Sequence, residues 1–244
     1  HTYQLQGGYK AYRRFVHSQL KNYDLRQQLI VLNGLTGTGK TEIIKMLSSR
    51  WPAIDLEEMA RHRGSVFGNL GLESPRSQKD FEALLWRSLY LYRDEPFIFV
   101  EGEGRRIGPL FLPKFMVEGI EKGIHILLQA SLETRTERIL KEYASLDKNL
   151  IIEQAAQPIK YLGEKLGREK ASNLLNSLYE EDFYTVVKTL CRDYYDRQYN
   201  ESKIGSNVFE LIVDAENLEQ SVEEIEKNLE KLAAKKLSIS GGRG

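Results

Sequence analysis

With only one cysteine among 244 residues, no intrachain disulfide can form and a zinc cluster lacks its thiolates. That cysteine, Cys191, follows the helical-looking run Thr185-Val186-Val187-Lys188-Thr189-Leu190. No histidine flanks it and no glycine-rich anion-binding turn precedes it, so it reads as a structural thiol rather than a nucleophile. The chain also lacks any stretch near the roughly 20 apolar residues a bilayer crossing needs. A charged-then-apolar secretory signal is missing from the N-terminus, and cytoplasm is the expected compartment. Formal net charge is zero, with 35 basic and 35 acidic residues. This excludes nucleic-acid binding driven by the field of the whole molecule, while leaving room for a local basic groove. Internal repeats and low-complexity segments are absent, as is an Asn-Lys-x-Asp guanine motif. What remains, at 41% hydrophobic residues, is enough to bury the core of one large domain, or one domain with an appendage.

What is present is led by Gly34 to Thr41, Gly-Leu-Thr-Gly-Thr-Gly-Lys-Thr, which satisfies the P-loop spacing. Gly34, Gly37 and Gly39 permit backbone conformations in which successive amides, including those of Thr36 and Thr38, converge on a phosphate at a helix N-terminus. Lys40 adds a mobile positive charge, and Thr41 supplies a hydroxyl to a magnesium ion bridging two phosphates. The apolar run Leu29-Ile30-Val31-Leu32 before the loop and the helical spacing of Glu42 to Leu47 after it complete a strand–loop–helix unit.

Along the chain, residues 1–25 read as a linker carrying a short amphipathic helix over 9–22, after the Gly7-Gly8 turn. Residues 26–236 read as one α/β domain with a helical insertion at about 145–200, and 237–244 as a disordered tail. Short unalternating strands are expected at 53–57, ending in carboxylates, at 96–100, at 124–128 and at 208–213. A helix is expected over 77–93 with Ser77 as its cap, and a last helix over 218–235. Strands alternating with helices predict a P-loop NTPase-like parallel sheet of about five strands with an inserted helical subdomain, the ligand lying at the strands' carboxyl ends. The first residue is His1, so the chain is expected to be a processed product or a piece of something longer.

A P-loop needs a second carboxylate on a neighbouring strand for magnesium or its water shell. Glu101 is the candidate. Glu103 either orients water or pairs with Arg105 or Arg106, and these two arginines should lie near the charge developing on a leaving phosphate. Asp55 and Glu57 are candidates for substrate binding or for helix capping. Arg61, His62, Arg63 and Ser65 form a loop suited to a second phosphate or a nucleic-acid backbone. His62 has no second histidine at ligand spacing, and His125 reads as a core residue. Tyr194, Tyr195 and Tyr199, interleaved with Arg192 and Arg197, could stack bases, with core packing the expected duty of at least one. Positive charge also collects at Lys10, Arg13, Arg14 and Lys21, a pattern that is usually a solvated face.

Several separated segments together resemble the tRNA 2-selenouridine synthase family. They are Gly7-Gly8-Tyr9-Lys10-Ala11-Tyr12-Arg13, the P-loop, Asp55-Leu56-Glu57 with Arg61 to Gly68, Val100 to Glu103 with Arg105 to Gly108, and Tyr194-Tyr195-Asp196 with Tyr199. The resemblance implies a rhodanese-like domain with a reactive cysteine ahead of the P-loop part, and Cys191 does not match that cysteine. It further implies a tRNA partner bearing 2-thiouridine at the wobble position, and two steps. The thiocarbonyl sulfur attacks the first carbon of geranyl diphosphate and expels pyrophosphate; selenophosphate then displaces the geranylated sulfur. On this reading the P-loop and Mg2+ hold the diphosphate, Glu101 and Thr41 serve the metal, Arg63, Arg105 and Arg106 meet phosphate or tRNA, and Phe67 and Trp86 are guesses for an apolar slot.

Two alternatives stay open. A small-molecule or nucleotide kinase would use the same loop with the arginine-bearing helix 133–143 as part of a lid. A nucleotide-binding RNA module without chemistry would keep tRNA and leave it unmodified.

Overall fold

The computed structural model describes residues 4–63, 70–71, 74–202 and 209–240. Helix α1 (Gly8–Lys21) precedes β1 (Gln28–Gly34), the P-loop and α2 (Lys40–Ser48). Then come β2 (Ala53–Ile54), α3 (Leu56–Ala60), α4 (Gln78–Leu91) and β3 (Phe97–Glu101). A hairpin of β4 (Arg106–Ile107) and β5 (Leu110–Phe111) leads to α5 (Lys114–Glu121), β6 (Ile124–Gln129) and α6 (Leu132–Tyr143). Helices α7 (Lys148–Leu166), α8 (Arg168–Tyr179) and α9 (Phe183–Leu190) follow, then a π-helical turn at Cys191–Tyr195 and α10 (Asp196–Ser202). Finally β7 (Leu211–Asp214) leads into α11 (Leu218–Ser240).

Five strands make the expected parallel sheet, in the order β2-β3-β1-β6-β7. Strand β1 sits at its centre, paired in register Leu32↔Glu101 with β3 and Gly34↔Leu128 with β6. The strands read as unbroken apolar runs because both faces are covered. Alternate residues of β1 divide between two cores: Leu29 and Val31 face α1, α4 and α5, while Ile30 and Leu32 face α2 and α11. Strand β3 does the same, with Ile98 and Val100 on the first face and Phe97 and Phe99 on the second. The period of two therefore sends Glu101 to the α2 face, where Thr41 begins its helix. A third core, built by Ile159, Leu174, Leu178, Val186 and Leu190, holds α7, α8 and α9 together between β6 and β7 in the chain.

Three expectations about elements need correction. The strand expected at 53–57 ends at Ile54, because the side chain of Asp55 accepts from the Glu58 amide and starts α3. Helix α11 runs on through Ser240, past the expected start of a disordered tail at 237, and 241–244 lie outside the described residues. The last strand begins at Leu211 rather than at Val208, which also lies outside them. Ser77 caps α4 as its sequence position suggests, accepting from the Asp80 amide. None of the described helices is long and apolar enough to cross a membrane.

Candidate functional site: a phosphate loop opening into an apolar chamber

The loop between β1 and α2 is shaped by its glycines. Gly37 and Gly39 adopt φ of +83° and +89°, in the left-handed region that other residues rarely occupy. A Cβ on Gly37 would stand 2.7 Å from the Arg135 carbonyl oxygen, and one on Gly39 would stand 2.5 Å from Leu218 Cδ2. No side chain caps α2, so its first-turn amides are left for an anion. Lys40 Nζ donates back to the carbonyls of Gly34 and Leu35, at 2.9 and 3.4 Å. The ammonium thus waits over the loop that a phosphate would fill.

Carboxyls gather on the side of Thr41. Thr41 Oγ1 donates to Glu57 Oε2 at 3.2 Å, placing Glu57 on α3 against the P-loop helix. Glu101 is wholly buried, its Oε2 accepting from the Leu56 amide at 2.8 Å. Its Oε1 and the Oδ2 of Asp55 find no donor. The two carboxyls nonetheless face each other, an arrangement that needs a shared proton or a cation between acceptors. Burial, and then Asp55, Glu57 and Glu103, hold the Glu101 carboxyl well above the usual range. Burial and Glu103 push Glu57 up to about 8, against the pull of Lys40. Among the described residues no three His, Cys, Asp or Glu side chains form a ready cage for a metal ion. Magnesium held by one hydroxyl, one or two carboxylates and substrate phosphates needs none.

Helix α6 braces the loop from the other side, a role the sequence reading missed. Arg135 is 2% exposed, makes two 2.8 Å hydrogen bonds to Asp196 and reaches the Thr36 carbonyl at 3.3 Å. Arg138 donates to the carbonyls of Thr38, Ala215 and Glu216. The Tyr199 hydroxyl lies by the Gly34 backbone, and burial pushes it up to about 12. The visible signal was Arg135 and Arg138 one turn apart with Asp196 in the Tyr-Tyr-Asp segment, but nothing in sequence says that this helix lands on the P-loop.

Beyond Lys40 and Thr41 the loop opens into a cavity of about 560 Å3. Its near wall carries Lys40, Thr41, Glu57 and Arg63. Its far wall is apolar, with Leu140, Ile151, Ala155, Leu178, Val187 and Leu190 among its lining. Cys191 lies in the same wall, 1% exposed, its thiol pushed up to about 11 by burial. A cavity of this size that joins the phosphate loop to apolar side chains of α7, α8 and α9, with Glu142 and Lys148 also in its lining, suits an amphiphile.

Of the other expected site residues, Arg61, His62 and Arg63 line the cavity, while others fall elsewhere. Arg63, expected to meet phosphate or tRNA, donates to the Leu70 carbonyl, pairs with Glu142 at 3.3 Å and lies over the Tyr143 ring, so its charge ties α3's end to α6. His62 is 7% exposed, its ring packed where a Cβ on Gly108 would stand, and burial lowers its pKa. Arg61, with φ of +51°, terminates α3 and lines the cavity. Arg105 and Arg106 are exposed on the hairpin, Arg106 over the Phe111 ring, and neither lines the cavity; the hairpin turns Ile107 inward instead. Tyr194 is 6% exposed within the helical core, so only Tyr195, which lines the cavity, and Tyr199 adjoin the site. Trp86 packs between Phe15 and Tyr90 on α4 and does not line the cavity. Ser65 and Phe67 lie outside the described residues. His125 is a buried strand residue, its Nδ1 3.0 Å from Asn33 Nδ2.

A central β1 running into a glycine loop, a carboxylate on the adjacent β3 and helices closing over the loop define a protein of the P-loop NTPase-like α/β class. Within that class, the chain belongs to the tRNA 2-selenouridine synthase family: the family model for the tRNA 2-selenouridine synthase AAA domain matches residues 27–208. A tRNA 2-selenouridine synthase of Cupriavidus pinatubonensis is 39% identical over 168 residues, 67% of this chain and 42% of that protein. One from Shewanella woodyi is 32% identical over 191 residues, 75% of this chain and 50% of that protein. The chain thus spans half or less of the length of these relatives. Among solved structures, a tRNA delta(2)-isopentenylpyrophosphate transferase from Staphylococcus epidermidis is 14% identical with a TM-score of 0.43, over 84% of this chain and 99% of that one.

Proposed function

We propose that this chain is the P-loop part of a transferase that acts on tRNA bearing 2-thiouridine at the wobble position, taking a geranyl group from geranyl diphosphate. The observation that supports this best is the continuity of the phosphate loop with the apolar chamber. A nucleotide donor would leave such hydrocarbon walls wet, whereas a prenyl diphosphate matches charge to charge and chain to chain.

In the reaction so proposed, the thiocarbonyl sulfur forms a bond to the first carbon of the geranyl chain while that carbon's bond to oxygen breaks. Pyrophosphate takes the electron pair, and the N3 proton of the base passes to it or to water. The free amides of α2 and the Lys40 ammonium, released from the carbonyls of Gly34 and Leu35, stabilise the charge growing on the departing diphosphate. Thr41 and Glu101, with Asp55 beside it, would hold Mg2+, which when bound supplies further neutralisation of the phosphates. The apolar wall excludes water that would otherwise capture the allylic carbon. The selenium of selenophosphate would then bond to C2 of the base and expel geranylthiolate, which takes a proton, and water would cleave the Se–P bond to release phosphate and leave 2-selenouridine, steps we assign to the protein together with a rhodanese-like domain.

Mass spectrometry of thiolated tRNA incubated with this protein and geranyl diphosphate tests the reading. A geranyl mass shift is expected; an unmodified tRNA, or phosphate transfer from ATP to a small acceptor, points to the binding-module or kinase alternative. A second check addresses the chamber. Val187 on α9 lines it and is partly exposed, so Val187→Trp should fill part of the void. Displacing about three methylenes at about 0.8 kcal/mol each predicts a loss of geranyl diphosphate affinity of roughly 50-fold. Pyrophosphate affinity should stay unchanged by calorimetry. An unchanged geranyl diphosphate affinity would place the lipid elsewhere.

A further inference from the structure

We infer that the face formed by α1 and α4, continued by the β4–β5 hairpin, is the platform on which the RNA substrate lies; this rests on the reading of tRNA as substrate. In a chain of balanced charge, α1 is one-signed, carrying Lys10, Arg13, Arg14 and Lys21 with no acidic residue. It also exposes rings. Tyr9 is 60% and Phe15 45% exposed, with Tyr90 of α4 at 51% and Phe111 of the hairpin at 56%.

These rings are ordered rather than scattered. Phe15 meets Trp86 edge-on at 4.9 Å, Trp86 stacks on Tyr90 at 5.4 Å, and the Arg93 guanidinium lies 4.5 Å over Tyr90. Acids of α4 and the turn after it are largely engaged. Glu82 pairs with Arg13, Asp94 with Arg93, and Asp80 accepts from the Ser77 hydroxyl. Against the remaining Glu95 stand two further exposed cations of α4, Lys79 and Arg87.

The strip also points at the site. Arg13 reaches Glu82 near the start of α4, whereas Tyr23 and Gln27 reach the carbonyls of Leu89 and Tyr92 at its end, so α1 and α4 run the same way. Gln78, at the start of α4, bonds both the amide and the carbonyl of Phe111. Because α4 leads into β3, its start lies at the strands' carboxyl edge, beside the P-loop. A ribbon about 20 Å long therefore runs from the rim of the site past Arg105 and Arg106 along α4. Exposed rings take unpaired bases and the cations between them take phosphates. A protein surface on this face would have to bring acids for α1, whereas RNA brings them on every nucleotide.

Binding of a tRNA with wobble 2-thiouridine, measured by fluorescence anisotropy over a salt series, tests the inference. The pair Lys10→Ala with Arg14→Ala should weaken binding about tenfold and lower the salt slope by roughly 1–2. The pair Phe15→Ala with Tyr90→Ala should weaken binding at least about fivefold with the slope unchanged. If that pair loses its helical circular dichroism, Tyr90→Ala alone takes its place. Lys227→Ala on α11, remote from the face, should change nothing, and all variants should bind geranyl diphosphate as the parent does. Parental tRNA affinity and slope in both pairs overturn the inference while leaving the proposed chemistry standing. So does a change from dimer to monomer in sedimentation with tRNA binding intact, which would make the face a contact between copies. Absence of tRNA binding by the parent protein would remove the functional reading and this inference together.

Discussion

Lys40→Ala should reduce geranyl transfer to thiolated tRNA by about 100- to 1,000-fold, the scale seen when one charge-stabilising donor is removed from a transition state. The ground state should suffer less. A charge-assisted hydrogen bond contributes about 1.5–3 kcal/mol, so geranyl diphosphate affinity is expected to fall by roughly 10- to 150-fold. The fold should be spared, because the ammonium's contacts within the protein are two carbonyls of its own loop, Gly34 and Leu35. Each of those carbonyls can turn to water, at a cost of about 1 kcal/mol or less. Single-turnover mass spectrometry and calorimetry separate the two effects. If the variant binds the donor as tightly as the parent, the loop does not receive the diphosphate; a loss of affinity with transfer intact would mean that Lys40 holds the substrate without serving the departing group.

The parts of this site that lie on one continuous segment were readable from sequence. Gly34 to Thr41 announces its own geometry, since the glycine spacing dictates where φ turns positive and the following helix dictates where the amides point. Glu101 was readable for a related reason: a carboxylate closing an apolar strand run has few places to go, and the pleat fixes its face. The apolar chamber was not readable. Its walls come from α6, α7, α8 and α9, whose chamber-facing residues have the same spacing and composition as residues that pack helix against helix. A Leu facing a void and a Leu facing another Leu are the same letter. The inner contacts of Arg63 and His62 were unreadable for the complementary reason. Positive charge in a loop reads as a surface, yet a guanidinium meeting Glu142, Tyr143 and a carbonyl is internal scaffolding, and an imidazole against Gly108 is packing.

The chamber also changes what a helical insertion means in this fold. In the kinase alternative, α6 would belong to a moving lid. Here its Arg135 and Arg138 hold the carbonyls of Thr36 and Thr38, and the backbone of Arg135 occupies the space that any side chain at Gly37 would need. The helix is therefore part of the loop's wall, and the insertion's own core lies against the apolar part of the cavity. The phosphate loop and the apolar lining are thus built by different parts of the chain and meet at α6.

That meeting point carries the second large effect. Asp196→Ala should destabilise the protein by about 3 kcal/mol, the low end for removing one partner of a buried ion pair, because Asp196 is partly open to water while Arg135 is not. The cost falls on Arg135, whose side chain is 3% exposed and would keep its charge, with the Thr36 carbonyl as a single weak acceptor at 3.3 Å. For a domain of this size the melting temperature should drop by roughly 6–12 °C. Two further variants separate a charge effect from lost packing. Asp196→Asn retains the shape and one acceptor and should recover part of the loss, while Arg135→Met with Asp196→Leu removes both charges and should recover more than either single change. Differential scanning calorimetry reads these proteins beside the parent and the single variants Arg135→Met and Asp196→Leu. Additive losses in the double variant would mean that the pair is not coupled and that α6 is held to the P-loop by packing alone.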